Sequence, residues 1–372
     1  MTILKYALWF ICLLFWCIVT FFIRKIEIKI DNNLTRVLLI ILKSIITIVL
    51  AYGIATVSIP IVWRFEYLFG ALYIVLIADV FYDIINMIML LFYKNTLSFK
   101  FSEILRLSIT LLVFLYGTIN SQIIIPNHIN YTSEKIKNEI KFVFLSDVHY
   151  GAAQTKKTIE NAFLKIKNIN PSFIVLGGDI TDENTTKEQM EEIYSIIGSS
   201  GIKTYFVYGN HDRQPEADYV GGKKYSKEEL ESIIKNNGIE ILKDNYIYIN
   251  ENLILLGRED ITESGRAKVE DLKERPDYVY VICIDHSPYQ EADIKKTKAD
   301  LQLSGHTHAG QLFPLKTVYK LGVNNIFGKY KMDNTNIYVS SGFSGWGMPL
   351  RTEKHCNFEV VTLKPVVFDT DD

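Results

Sequence analysis

The chain has 372 residues, 48% of them hydrophobic, and a formal net charge of −2, so whole-chain charge gives no reason to expect a nucleic-acid partner. Mean hydropathy is +0.12, high for a chain living wholly in water. Four cysteines, Cys12, Cys17, Cys283 and Cys356, lie far apart with no CxxC, so disulfides do not hold this fold and cysteine usage does not identify a compartment.

The first 125 residues read as membrane. Residues 6–23 form 18 positions without a charge, 44–63 form 20, and 107–125 form 19, the last with a polar end that stops the span near Thr118. Residues 67–93 are apolar apart from Asp79 and Asp83. Each run is long enough to cross the hydrocarbon core as a helix. The expectation is an all-α transmembrane region, residues 1–125, with four helices near 6–23, 44–63, 67–93 and 104–121. A cleaved signal peptide is the competing reading of 6–23, but no A-x-A-like site follows it and further spans do.

Loop charges give an orientation. Arg24, Lys25, Lys29, Arg36 and Lys43 fall in the first loop and Lys94, Lys100 and Arg106 in the third, against Lys5, Arg64, Lys135 and Lys137 on the other side. Eight against four places the first and third loops in the cytoplasm, and with four spans everything after residue 125 lies outside it. Asp79, Asp83 and Asn86 fall at i, i+4 and i+7, one stripe of a helix. A mid-membrane carboxylate costs roughly 2.5–3.5 kcal/mol on insertion scales, so the stripe must meet a partner or water. Pairing within the bundle, for example with Lys43, is preferred here over an ion path.

Residues 126–138 read as a polar linker, and 139–372 as soluble sequence alternating strands with helices. Strands are expected at 140–146, 172–178, 203–209, 278–285 and 299–305, with late β pieces near 336–341 and 357–363. Helices are expected at 156–169, 186–200 and 226–238; the last has a Ser226 cap, Glu229 three residues on and Gly238 as its stop. Such alternation predicts an α/β domain with buried strands, and in such sheets chemistry sits at the carboxyl ends of the strands.

Five successive strand ends each deliver a candidate metal ligand. They are Asp147 and His149 in SDVHYG, Asp179 and Asp182 in GGDITD, Asn210, His211 and Asp212 in GNHD, Asp285 and His286 in DHSP, and His306 and His308 in GHTH. Of seven histidines, five lie in these motifs. Any one piece alone would more often be a turn or a satisfied core residue; the specificity lies in the ordered set.

That set resembles the calcineurin-like metallophosphoesterase superfamily, whose pattern DxH…GDxxD…GNHD…H…GHxH is matched at every position. The spacings are 32 residues from Asp147 to Asp179, 31 to Asn210, 76 to His286 and 20 to His306. GHTHAGQ together with SSGFSGWGMPLR (340–351) resembles the membrane-associated YkuE/YaeI-like branch, with Ala309 where that branch has Gly. The resemblance covers about 139–364 and implies a four-layer αββα sandwich, an α/β (α+β) fold, with two divalent metals at one edge. One would be held by Asp147, His149, Asp179 and His308, the other by Asp179, Asn210, His286 and His306, with Asp179 bridging. It further implies His211 as the acid facing the scissile phosphate, with Asp212 orienting it; Asp182 is left between a supporting role and a helix cap. Oxygen and imidazole ligands suit Mn, Fe or Zn without choosing among them.

The implied activity is hydrolysis of a phosphate ester or anhydride by a metal-bridging water or hydroxide. One alternative is a phosphodiesterase or pyrophosphatase acting on a lipid-linked or nucleotide-sugar lipid substrate, which neighbouring spans and membrane lipids would suit. A different class is a metal-free scaffold or a transporter accessory domain; the ligand set is complete, which argues against the first. A protein Ser/Thr phosphatase is disfavoured because Glu183 stands where that family has Arg. Residues 213–226 and 312–351, with Trp346 and Arg351, are candidate substrate loops.

Overall fold

The structure is a computed structural model that describes residues 2–27, scattered positions between 34 and 45, and residues 66–93, 98–151, 153–272, 275–320 and 325–366. The chain divides into two compact units, Met1–Ile119 and Asn120–Asp372.

In the first unit the described helices are α1 (Thr2–Glu27), α2 (Glu66–Tyr93) and α3 (Phe99–Ser121), which runs on into the second unit. Two stretches, Gly70–Tyr93 and Phe99–Ser121, are long and apolar enough to cross a membrane. The expected span at 44–63 lies outside the described residues. Arg106, counted above as a loop residue, lies inside α3 and is fully buried. Its guanidinium pairs with Glu103 at 2.8 Å and Asp79 at 3.5 Å. Arg24 joins the same cluster, 3.1 Å from Glu103 and with its guanidinium over the Tyr82 ring. Asp79 is thus paired within the bundle, with Arg106 as a partner, as a charge removed from water requires.

The second unit is built on two six-stranded sheets. One has the order β1-β12-β2-β3-β4-β5, with β1 Ile124–Ser133, β2 Ile140–Leu145, β3 Ile174–Leu176, β4 Thr204–Phe206, β5 Ile239–Ile241 and β12 Cys356–Pro365. The other has the order β10-β11-β9-β8-β7-β6, with β6 Asn245–Asn250, β7 Leu253–Gly257, β8 Tyr280–Ile284, β9 Leu301–Ser304, β10 Gly328–Met332 and β11 Thr335–Val339. Period-two alternation sends each strand's side chains to two different cores. On β2, Phe142 and Phe144 enter the core between the sheets, where they meet Leu255, Ile282 and Leu303; Val143 and Leu145 enter the core under the helices. Phe142 stacks on Phe173 at 4.7 Å, a contact worth about 0.5–1.5 kcal/mol beyond its area. β8 divides likewise, Tyr280, Ile282 and Ile284 inward and Val281 and Cys283 outward.

Helices α4 (Lys156–Ile169), α5 (Lys187–Gly198) and α6 (Lys227–Asn236) cover the outer face of the first sheet through Ile159, Phe163, Ile166, Ile193, Ile197, Leu230 and Ile234. Their starts are set by side chains: Thr155 caps α4, and Thr186 with Gln189 and Ser226 with Glu229 form capping boxes. On the second sheet, Ile294 of α7 (Glu291–Thr297) packs on Ile337 and Val339. The fold is a mixed α/β sandwich of two sheets with helices on the outside.

Two segments differ from the sequence reading. Residues 126–138 were expected to be a linker, yet 124–133 form β1, paired in parallel with β12 from Ile124↔Cys356 to Ser133↔Pro365. The segment is polar because it is an edge strand, where Pro126 can sit without a donor. The stretch 239–257, assigned no element from sequence, holds β5 and the antiparallel pair β6–β7.

Candidate metal centre

Strands β2, β3 and β4 run parallel, as do β7, β8, β9 and β11, so the loops after β2, β3, β4, β8 and β9 leave from matching strand ends. Backbone hydrogen bonds lash these loops together: Asp147 N–H donates to Gly178 O at 2.9 Å, and Val148 and His149 N–H both donate to Asp179 O. Asp147, His149, Asp179, His306 and His308 all sit at positive φ, between 42° and 72°. Each costs on the order of 1–3 kcal/mol in a non-glycine residue, and such strain concentrates at functional sites. Close approach explains two glycines. A Cβ on Gly209 would stand 2.2 Å from Asp179 Oδ1, and one on Gly305 2.3 Å from Asp147 Oδ2.

The carboxylates and imidazoles form two adjoining groups, Asp147–His149–His308 and Asp179–His286–His306, each with its candidate ligand atoms within 4.8 Å of one another. His306 and His308, two residues apart, therefore fall in different groups. Asp179 Oδ2 lies 3.0 Å from His286 Nε2 and 3.7 Å from His149 Nε2, facing both groups, while its Oδ1 accepts the His211 N–H at 2.8 Å. Asn210 Oδ1 is 2.8 Å from His306 Nδ1. All seven sequence-derived ligand candidates are thus gathered at one place.

The donor chemistry fits cations. His286 Nδ1 donates to Gly177 O at 2.8 Å, which leaves Nε2 as the lone-pair atom aimed at an acceptor-only carboxylate. Among the described residues, His286 Nε2 and both ring nitrogens of His149 are buried without a hydrogen-bond partner. Facing acceptors at this burial need a positive charge between them. A proton is one such charge: burial lowers the pKa of His286, but Asp179 outweighs it and raises it well above the ordinary value. Burial holds His306 down to about 4 and His308 down to about 3, with charge on neighbouring His286 and His149 respectively adding to it. Both are therefore neutral imidazoles, the form that binds metal.

Around the groups the structure places the supporting side chains, and one expected role changes. Asp212 does not orient His211. Its fully buried carboxylate accepts backbone N–H bonds from Gly209 and Asp179 on Oδ2 and from Ile180 and Thr181 on Oδ1, at 2.8–3.1 Å. It pins the β3 and β4 loops to each other. Burial, together with Asp179, raises its pKa to about 6. Glu183 takes the expected place, accepting from His211 Nδ1 at 2.9 and 3.1 Å. Burial lowers the pKa of His211, but Asp179 and Glu183 override it and bring it to about 10. Asp182 stands behind His149, 3.4 Å from its Nδ1, and turns its other oxygen to Asn184, Thr185 N–H and Thr185 Oγ1; Thr186, not Asp182, caps α5. The sequence signal for Glu183 was a second carboxylate directly after GDITD.

Arg351, a candidate phosphate contact, is fully buried and donates to the carbonyls of His308, Ser341, Ser344 and Lys354. It braces the loop after β9 against the loop before β12. Asp285 is held by Arg266 at 2.6 and 3.1 Å and turned away from the ligand set.

A two-sheet sandwich whose parallel strand ends gather carboxylates and imidazoles in two adjoining groups has the architecture of the metallophosphoesterases. Residues 140–310 match the family described as calcineurin-like phosphoesterase. It is similar to an uncharacterized metallophosphoesterase of Helicobacter pylori, 30% identical over 227 residues, 59% of this chain and 58% of that one; the match therefore spans less than two thirds of that relative. It is also similar to the uncharacterized metallophosphoesterase YkuE of Bacillus subtilis, 26% identical over 64% of this chain and 87% of that one. A transmembrane protein with metallophosphoesterase domain from Danio rerio is 27% identical over 70% of this chain and 62% of its own length.

Proposed function

We propose that this protein is a membrane-anchored phosphoesterase that uses two divalent cations, of Mn, Fe or Zn type. Asp147, His149, Asp179 and His308 would hold one, and Asp179, Asn210, His286 and His306 the other. The observation that carries the reading is the gathering of Asp147, His149 and His308 in one group and Asp179, His286 and His306 in the other, each with its ligand atoms within 4.8 Å of one another, with Asp179 Oδ2 facing both. When bound, a pair of such cations neutralises phosphate oxygens and supplies a nucleophilic oxygen at neutral pH.

The chain's own residues do the rest. The His211 side chain is 15% exposed, and Glu183 holds its Nδ1. The other ring nitrogen, Nε2, is then the proton donor for the leaving oxygen. Asp212 keeps the His211 loop against Asp179, so acid and bridging carboxylate move as one piece. Asp182 fixes the ring of His149.

The division into a membrane region with spans near 6–23, 44–63, 67–93 and 104–121 and a hydrolase unit on its extracytoplasmic side belongs to the same proposal. A lipid-linked phosphate substrate is a second reading, favoured by the apolar helix Phe99–Ser121 that leads directly into β1. The test is hydrolysis of soluble and lipid-linked phosphoesters by the purified full chain with Mn²⁺. Activity that persists after chelation would contradict the two-cation reading.

A further inference from the structure

One aromatic ring stands beside the acid and has no part in the account above. The centroid of the Trp346 ring lies 6.2 Å from that of His211, the planes inclined by 36°. Trp346 is half-buried as a residue, with its Nε1 buried. The backbone of Trp346 is held by polar contacts on both sides. Gln311 sits in the left-handed region, φ 49°, and is nearly buried. Its Nε2 donates to Trp346 O at 3.1 Å and Leu350 O at 3.0 Å, and its Oε1 accepts the Trp346 N–H at 2.8 Å. Its own carbonyl accepts the N–H groups of Thr352 and Glu353. The side-chain amide and the carbonyl of Gln311 thus run to the segment that bears Trp346, while its N–H donates to His308 O at 2.9 Å. That explains the last letter of GHTHAGQ: the ligand motif and the Trp346 loop are one rigid piece. A side chain that merely filled space would not need its backbone fixed on both sides.

We propose that Trp346 is a specificity-determining residue: it forms the wall along which the leaving group lies, and it selects phosphate esters whose leaving group carries a flat, apolar body. Gln311 is the positioning residue that sets the indole. The inference rests on the phosphoesterase reading for its geometry, because His211 marks where the leaving oxygen departs. An indole there offers a large apolar face at low cost in conformational freedom. Inorganic anhydrides and very small alcohols have nothing to lay against it.

The experiment uses the full chain in detergent with Mn²⁺ and two non-hydrolysable probes, benzylphosphonate and methylphosphonate, read by calorimetry. Kinetics on benzyl and methyl phosphate, whose leaving alcohols are similarly acidic, run in parallel. The wild-type protein is expected to bind benzylphosphonate about tenfold more tightly than methylphosphonate, the size of one aromatic contact. Trp346→Leu and Gln311→Ala should each erase that preference in binding and in kcat/KM, and Trp346→Phe should keep most of it. Bound metal, measured on each variant, should match the wild type; if Trp346→Leu loses metal, the Phe and Gln311 variants decide the question.

A preference that survives Trp346→Leu, or an equal weakening of both probes in that variant, overturns the proposal. A wild-type protein that prefers the benzyl probe but hydrolyses neither ester upholds the wall and removes the phosphoesterase reading. A wild-type protein that binds neither probe removes both.

Discussion

Glu183 shows how far a residue's role depends on the fold. Asp212 is the immediate neighbour of His211, and adjacency makes it the natural partner on paper. In the structure its carboxylate is fully occupied by four backbone N–H groups, and the partner comes from 28 positions upstream because the β3 and β4 loops are side by side. Glu183→Gln keeps the shape and loses the charge-assisted bond, so turnover should fall by about 10- to 100-fold, as for other supporting partners of a site, with bound metal unchanged. His211→Ala should keep metal and lose more, about 10²- to 10⁴-fold; loss of metal in elemental analysis would make it a ligand instead. The ligand types were legible because imidazoles and carboxylates at strand ends have few other uses. Their supports were not, since buried hydrogen bonds leave no pattern in spacing. Ala309 adds a stability test. It is fully buried at φ 51°, in a region that costs an L-residue roughly 1–2 kcal/mol. Ala309→Gly should raise the unfolding free energy by about 1 kcal/mol, and denaturant melts that show no gain would mean the loop relaxes instead.

At the scale of elements, apolar periodicity located the buried strands and the capped helices well. Helix α4 falls on the expected residues, and the Ser226–Glu229 capping box forms. What escaped were the edges. β1 carries Pro126, Asn127, His128 and Asn130, and buries only Ile124 and Ile129 of its ten residues. An edge strand needs only one partner, so its sequence is free to look like a linker. This changes where the hydrolase unit must be cut. A chain beginning at residue 139 would strip β1 from β12 and leave a ten-residue edge bare, with Phe358 and Val360 beside it. That form should aggregate or melt earlier than one beginning at 120, which keeps the pairing. Equal melting temperatures and equal monodispersity by size-exclusion chromatography would show β1 to be dispensable.

Across the whole molecule, composition changes solvent near residue 120, and the structure divides into units at that point. The side on which the hydrolase unit works follows from the number of spans and the loop charges. Arg106 and Arg24 must be removed from the loop count, because they are buried within α3 and α1 and both pair with Glu103. The cytoplasmic assignment of the first and third loops then rests on six basic residues against four, and keeps its sign. On the proposed four spans, near 6–23, 44–63, 67–93 and 104–121, the unit after Ile119 would lie outside the cytoplasm. A thiol label reads this directly. Asn130 is exposed on the edge strand β1, whereas Cys283 and Cys356 are buried. Asn130→Cys should therefore react with a membrane-impermeant maleimide on intact cells, with the unsubstituted chain as the background for Cys12 and Cys17. Labelling only after the cells are opened would reverse the side. It would mean an odd number of spans, most directly that 44–63 does not cross, and would place the phosphate substrate in the cytoplasm.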